Sequence, residues 1–170
     1  MHPENKDPLE PQNGEVRLRE VIHSDLEIFF EQQLDPESNR MAAFTAREPG
    51  DQGAFTAHWI RIQGNQAILK KTILFNGRVA GYLVAFDLLG EFSVGYWLGK
   101  AYWGKGIATR GLALFLAGIP TRPLYARAAK DNAGSLRVLA KCGFKIAGED
   151  RGFAYARGGE TEEWILRLEK

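Results

Sequence analysis

The stretch YWGKGIATRGLALFLAG, residues Tyr102 to Gly118, decides how this chain is read: two glycines flank a lysine, and an apolar segment of helical pattern follows at once. A helix begins with unpaired N–H groups and a partial positive charge. Glycines at Gly104 and Gly106 leave that end bare, so an anion, typically a phosphate, can approach the donors closely. A tight turn uses the same residues, and a Gly-x-Gly pair alone does not separate the two.

The preceding sequence narrows the choice. AILKKTILF, then Asn76-Gly77, then RVAGYLVAF reads as a hairpin with a preferred two-residue turn; after a reversal at Leu89-Gly90-Glu91, FSVGYWLG is a third strand of the same antiparallel meander. Residues Gly99 to Gly106 match a Walker A motif except at its last position, where the Ser or Thr that binds magnesium is replaced by Gly106. A dinucleotide fold needs Gly-x-Gly-x-x-Gly within a βαβ unit, but the next glycine here is Gly111. What survives is a pyrophosphate cradle placed directly after an antiparallel strand.

Working outward, residues 1–15 hold three prolines and several charges without periodicity and are expected to form a flexible N-terminal tail. Val16 to Arg19 alternates like a short strand. Ser24-Asp25-Leu26-Glu27 has the spacing of a helix capping box, with Leu26, Phe29, Phe30 and Leu34 on one apolar face and Pro36 ending the helix. Ala54 to Ile62 places Phe55, Trp59 and Ile62 on one side of a second helix. Beyond the opening stretch, LYARAA is a strand and DNAGSLRVLAKCGF a helix capped near Asp131 or Asn132 and ended by Gly143. Strands at Lys145 to Asp150 and Glu163 to Leu168 flank a loop containing Arg157-Gly158-Gly159. The order predicts an α+β fold over residues 16–170: a mixed, mostly antiparallel sheet of about seven strands flanked by four helices.

The chain's 170 residues suit one domain, and 22 basic against 21 acidic residues leave a net charge of +1, so no global field recruits nucleic acid. A single cysteine, Cys142, makes no internal disulfide, and the first residues lack an apolar run of signal length; a cytoplasmic protein is expected. The apolar run from Leu112 to Ile119 is too short to cross a bilayer. His2 and His23 have no ligand spacing with Cys142, so no metal site is expected.

WGKGIAT after VGYWL, followed some way on by NAGSLRVLAKCGF, resembles the GNAT superfamily of N-acetyltransferases, most closely the branch that includes ribosomal-protein N-terminal acetyltransferases. The likeness runs from Val16 to the C-terminus. The family's loop pattern, Gln/Arg-x-x-Gly-x-Gly/Ala, falls on Trp103, Gly106 and Ala108, with Trp in the first position as is typical of this branch. The resemblance implies acetyl-CoA as co-substrate. It implies that the N–H groups from Gly104 through Lys105, Gly106, Ile107 and Ala108 to Thr109 hold the CoA diphosphate, with the Lys105 and Thr109 side chains assisting. The strand containing Tyr96, Trp97 and Leu98 would pair with the pantetheine arm, the Leu98 amide facing the thioester oxygen. Asn132 matches a pantetheine contact and also suits an N-cap. Arg137 and Lys141, spaced i, i+4, read as a solvated face within reach of the CoA 3′-phosphate.

Acetyl transfer needs a neutral amine and a proton for the departing sulfur. Where many family members carry a Tyr on the last helix, this chain has Leu139. Ser135 is the matching candidate for a proton donor, a relay or thiol-positioning group, or a packing residue. Glu91 and His58 are candidate bases, although an α-amino group with a pKa of about 8 makes only a modest demand on a base. Trp59, Tyr82 and Trp97 frame an acceptor cleft or pack. The resemblance favours a peptide or protein N-terminus as acceptor; a small-molecule amine or antibiotic, or a non-catalytic acyl-CoA-binding sensor, are the alternatives. No long acidic run suggests a polycationic acceptor, and the sequence accommodates a monomer or a homodimer.

Overall fold

A computed structural model describes residues 14–170. Most of the expected tail, residues 1–13, lies outside the described residues. Glu15 exchanges two 2.9 Å hydrogen bonds with Asn76, and the Gly14 carbonyl accepts from the Arg110 guanidinium at 2.6 Å.

Seven strands of the described residues form one sheet: β1 (Val16–Arg19), β2 (Leu69–Phe75), β3 (Arg78–Leu88), β4 (Glu91–Leu98), β5 (Leu124–Ala129), β6 (Lys145–Ala154) and β7 (Gly159–Leu168). Their order is β1-β2-β3-β4-β5-β7-β6, and only β4 and β5 run parallel. The expected α+β architecture with a mostly antiparallel sheet is what forms. Both meander reversals are two-residue turns with left-handed φ, 50° and 78° at Asn76-Gly77 and 54° and 87° at Leu89-Gly90, which match strand twist.

Among the described residues the helices are α1 (Asp25–Gln33), α2 (Pro36–Ala42), α3 (Gln52–Gly64), α4 (Ile107–Ala117) and α5 (Ala133–Lys141), five rather than the expected four. The added one is α2. Pro36 keeps Asp35 extended, at φ −66° and ψ 118°, and then serves as the first helical residue, while the Asp35 carboxylate accepts the Ser38 N–H at 2.8 Å. The proline that limits α1 thus opens the next helix. β6 and β7 also extend further than expected, reducing the loop around Arg157 to a tight turn.

The capping box at Ser24 does not form, because Ser24 is itself helical and its side chain caps nothing. Asp25 takes over. Its carboxylate, 1% exposed, accepts two bonds from Arg19 at 2.6 and 2.8 Å, the Thr72 hydroxyl at 2.7 Å and the Ile22 N–H at 3.0 Å. A buried carboxylate persists only with such partners, and these join β1, β2 and α1.

Helices cover both sheet faces. α4 and α5 bury Ile107, Leu112, Phe115 and Leu139 against Ile73, Leu83, Val94 and Leu98. On the opposite face α1 and α3 gather Leu26, Phe29, Phe55 and Trp59 against Val79 and Tyr82. The two halves of the sheet join at β4 and β5, where only Ser93 and Tyr125 are in register. Beyond that pair the two strands diverge.

Candidate active site

The divergence opens a cleft of about 320 Å³ whose walls are β4, β5, the first turn of α5, the loop before α4 and, across the top, α2. Alternation on β4 decides what faces it. The Gly99 N–H donates to the Ala80 carbonyl at 2.8 Å across β3, so the N–H groups of Leu98 and Tyr96 point the other way, towards β5 and into the gap. The Leu98 carbonyl is already engaged: the Trp103 indole N–H donates to it at 2.9 Å. That bond ties the end of β4 to the glycine loop. On the other side of the strand, close approach to β3 depends on Gly81, where a Cβ would stand 2.0 Å from the Trp97 carbonyl oxygen.

The loop itself turns through two left-handed residues, Gly104 at φ 74° and Gly106 at φ 72°, and Gly106 is the N-cap of α4 with no side chain to cap the helix. No hydrogen bond to another described residue engages the N–H groups from Gly104 through Thr109. Six consecutive amides are therefore free for an anion. The expected residues divide by role: the Ile107 side chain is core, Ala108 and Gly104 line the cleft, and Lys105 folds back to the Ala101 carbonyl at 3.1 Å beside the Tyr102 ring.

Asn132 caps α5, its side chain accepting the Ser135 N–H at 3.2 Å, and both residues line the cleft. Asp131, the other candidate cap, instead holds Arg157 through bonds of 2.8 and 2.9 Å, while Arg157 also donates to the Arg40 carbonyl at 2.6 Å. This arginine fastens the β6–β7 turn to α2 and to the start of α5. Arg157 in turn holds the Asp131 carboxyl below its ordinary value. Leu139, 3% exposed, lines the floor and offers no proton.

Tyr96, Trp97, Leu98, Trp103, Gly104, Ala108, Asn132 and Ser135 converge on this one space. Glu91 does not: it starts β4 opposite Leu88, next to the turn and away from the cleft lining. The His58 side chain is solvent-accessible on α3, where partial loss of hydration against its neighbours and then the Arg61 charge lower its pKa. Trp59 and Tyr82 pack edge to face, 4.8 Å between ring centres, inside the α1–α3 core, so of the three aromatics only Trp97 borders the cleft. Its indole N–H is buried without a partner among the described residues. Cys142 packs in the core with its Sγ 3.5 Å from the Thr109 carbonyl, and burial pushes its thiol up. Arg137 and Lys141 are exposed.

Sequence reasoning did not find the α2 residues Ser38, Met41 and Ala42 that roof the cleft, nor Arg127 of β5 in its wall. The Asp-Pro pair at positions 35 and 36 was the available signal. Arg127 looks like any alternating strand residue until the neighbouring strands part. Among the described residues no group of His, Cys, Asp and Glu could hold a metal ion, and no helix is long and apolar enough to cross a membrane.

Known proteins share this arrangement. Mycobacterium smegmatis RimJ in complex with CoA-disulfide superposes with a TM-score of 0.75 at 23% identity, over 94% of this chain and 83% of that one. Ribosomal-protein-S5-alanine acetyltransferase from Vibrio fischeri gives 0.72 at 16% identity, over 91% and 92% of the two chains. Spermidine N-acetyltransferase from Vibrio cholerae, in complex with CoA and spermine, gives 0.77 at 13% identity, over 91% and 95%. At such identities the likeness is one of fold. No curated protein matches the sequence. The profile of the acetyltransferase (GNAT) domain matches residues 15–145, and by that match the chain belongs to the GNAT acetyltransferase family.

Proposed function

We propose that this chain transfers an acetyl group from acetyl-CoA to the α-amino group of a peptide or protein N-terminus, by direct attack within a ternary complex. The observation that carries the reading is the row of six free amides at the start of α4, opening straight into the gap between β4 and β5. The diphosphate of CoA sits on that row, and the pantetheine arm runs along β4, where the Tyr96 and Leu98 N–H groups have no strand to pair with. Asn132 meets the arm from the opposite wall. Bound CoA in the solved structures of RimJ and of the spermidine enzyme supports this reading.

The Leu98 amide donates to the thioester oxygen as negative charge builds there during attack. Its direction is set by the β3–β4 ladder, where the carbonyl of the same peptide unit, Trp97, faces β3. The charges around the cleft favour an α-amine over a polyamine. Among the described residues no carboxylate lines it, and the one cation among them, Arg127, is neutralised by Asp150 and Glu163 at 2.9 Å each. An α-amino group, with a pKa of about 8, is partly neutral at pH 7.5 and needs no dedicated base, whereas lysine at about 10.4 does. Water then takes the ammonium proton, and Glu91 serves the turn.

CoA release measured over a panel of N-terminal peptides, a polyamine, a lysine side-chain amide and an aminoglycoside tests the reading. Peptides turning over at least tenfold faster than the other amines is the expected result. Preference for the polyamine or the aminoglycoside would replace the acceptor, and CoA binding without turnover on any amine would make the protein a sensor.

A further inference from the structure

Expulsion of the CoA sulfur leaves a thiolate, and the cleft holds one side chain suited to protonate it. Among the described residues, Tyr96 and Arg127 are the titratable groups in the cleft lining. Arg127 remains charged at any accessible pH and is bound by two carboxylates. A serine hydroxyl such as Ser135 is a poor acid unaided. Tyr96 differs on both counts. Alternation on β4 sends its ring to the same face as Val94 and Leu98, towards α4 and α5, where Tyr96 and Ser135 line the same cleft and Cys142 packs on the same core. Ser135 is itself held on the first turn of α5 by Asn132. The strand whose Leu98 amide meets the thioester oxygen therefore carries, two residues earlier, the phenol that borders the same cleft.

We propose that Tyr96 is the proton donor to the departing CoA sulfur, with the Ser135 hydroxyl orienting its phenol. As the carbon–sulfur bond breaks, its electron pair goes to sulfur, the phenol O–H bond breaks and an S–H bond forms. The resulting tyrosinate takes the proton shed by the newly acylated nitrogen, so the phenol is restored and the products are the amide and free CoA thiol. Burial raises the phenol above its ordinary value, as Cys142 also does, against the opposing effect of Ser135; the group stays protonated at neutral pH, as a donor must. Leu139 then needs no replacement on α5.

The inference rests on the acetyl-transfer reading, and its test separates the two. The thiol of CoA bound to the full chain is titrated by thiolate absorbance, with the unliganded protein subtracted to remove Cys142, in the wild type and in Tyr96→Phe. A phenol donating to the thiolate makes the bound thiol ionise about one pH unit lower in the wild type than in the variant. On the best amine of the panel, kcat of Tyr96→Phe falls about 100-fold while CoA affinity stays within about threefold. Ser135→Ala gives an intermediate loss. Equal thiol titrations in the two proteins, or a kcat within threefold of wild type, would overturn the role of Tyr96 even if transfer is confirmed. If no amine is acetylated, the titration alone decides it, and a chain that binds no CoA overturns both.

Discussion

A methyl group at Gly81 would meet the Trp97 carbonyl oxygen at 2.0 Å, and the obstacle is backbone on a central strand. Relief requires β4 to move, which displaces the two amides facing the cleft. Gly81→Ala is expected to cost about 2–4 kcal/mol in urea unfolding and to weaken CoA binding as well. A variant with wild-type stability would show that β4 yields freely. Asp25 works through charge. Burial alone would raise its pKa, but hydrogen bonds from Arg19, the Ile22 N–H and Thr72, together with the Arg19 charge, hold it below the ordinary carboxylate value. A lowered folded value means the stabilisation is complete above the unfolded pKa of about 3.9 and is lost as pH falls through the folded one. Asp25→Asn should therefore cost about 3 kcal/mol between pH 5 and 8, the difference shrinking below about pH 4. A difference independent of pH down to 2 would contradict this.

At the scale of elements, one side chain hydrogen-bonds the end of β4 to the loop before α4. Trp103 packs on the core and holds the Leu98 carbonyl, so Trp103→Phe keeps most of the packing and removes the bond. The expected outcome is an unchanged circular dichroism spectrum with CoA affinity reduced about fivefold, within the range for one neutral hydrogen bond. Unaltered affinity would mean the strand end is held by other means. This scale also shows what a linear reading captures. The hairpin turns at Asn76-Gly77 and Leu89-Gly90, the glycine entry to α4 and the Asn132 cap are local devices, and all were legible. The Ser24 box failed because Asp25 found longer-range partners in Arg19 and Thr72 that a four-residue pattern does not contain. Helix α2 was passed over because its seven residues bury Ser38 and Asn39 rather than an apolar stripe, so periodicity gave no signal and only the Asp35-Pro36 start marked it.

Across the whole molecule, the proposed function depends on a defect in the sheet: two parallel neighbours in register at one residue pair, then parting. Nothing in the residues of β4 or β5 announces this, since the separation of two strands far apart in sequence is not carried by the pattern of either one. The walls contributed by Arg127 and α2 were hidden for the same reason, whereas the glycine end of the cleft lies in one contiguous loop and could be read directly. The measurement that bears most directly on the account is calorimetric binding of CoA, and of pantetheine lacking the diphosphate, to the wild type and to Gly106→Val. A β-branched residue resists the left-handed φ of 72° that aims the loop amides. The account predicts that the wild type binds CoA, that the variant binds it at least about tenfold more weakly, and that pantetheine affinity is the same in both. Absence of CoA binding by the wild type, or equal CoA affinity in the two proteins, would contradict it.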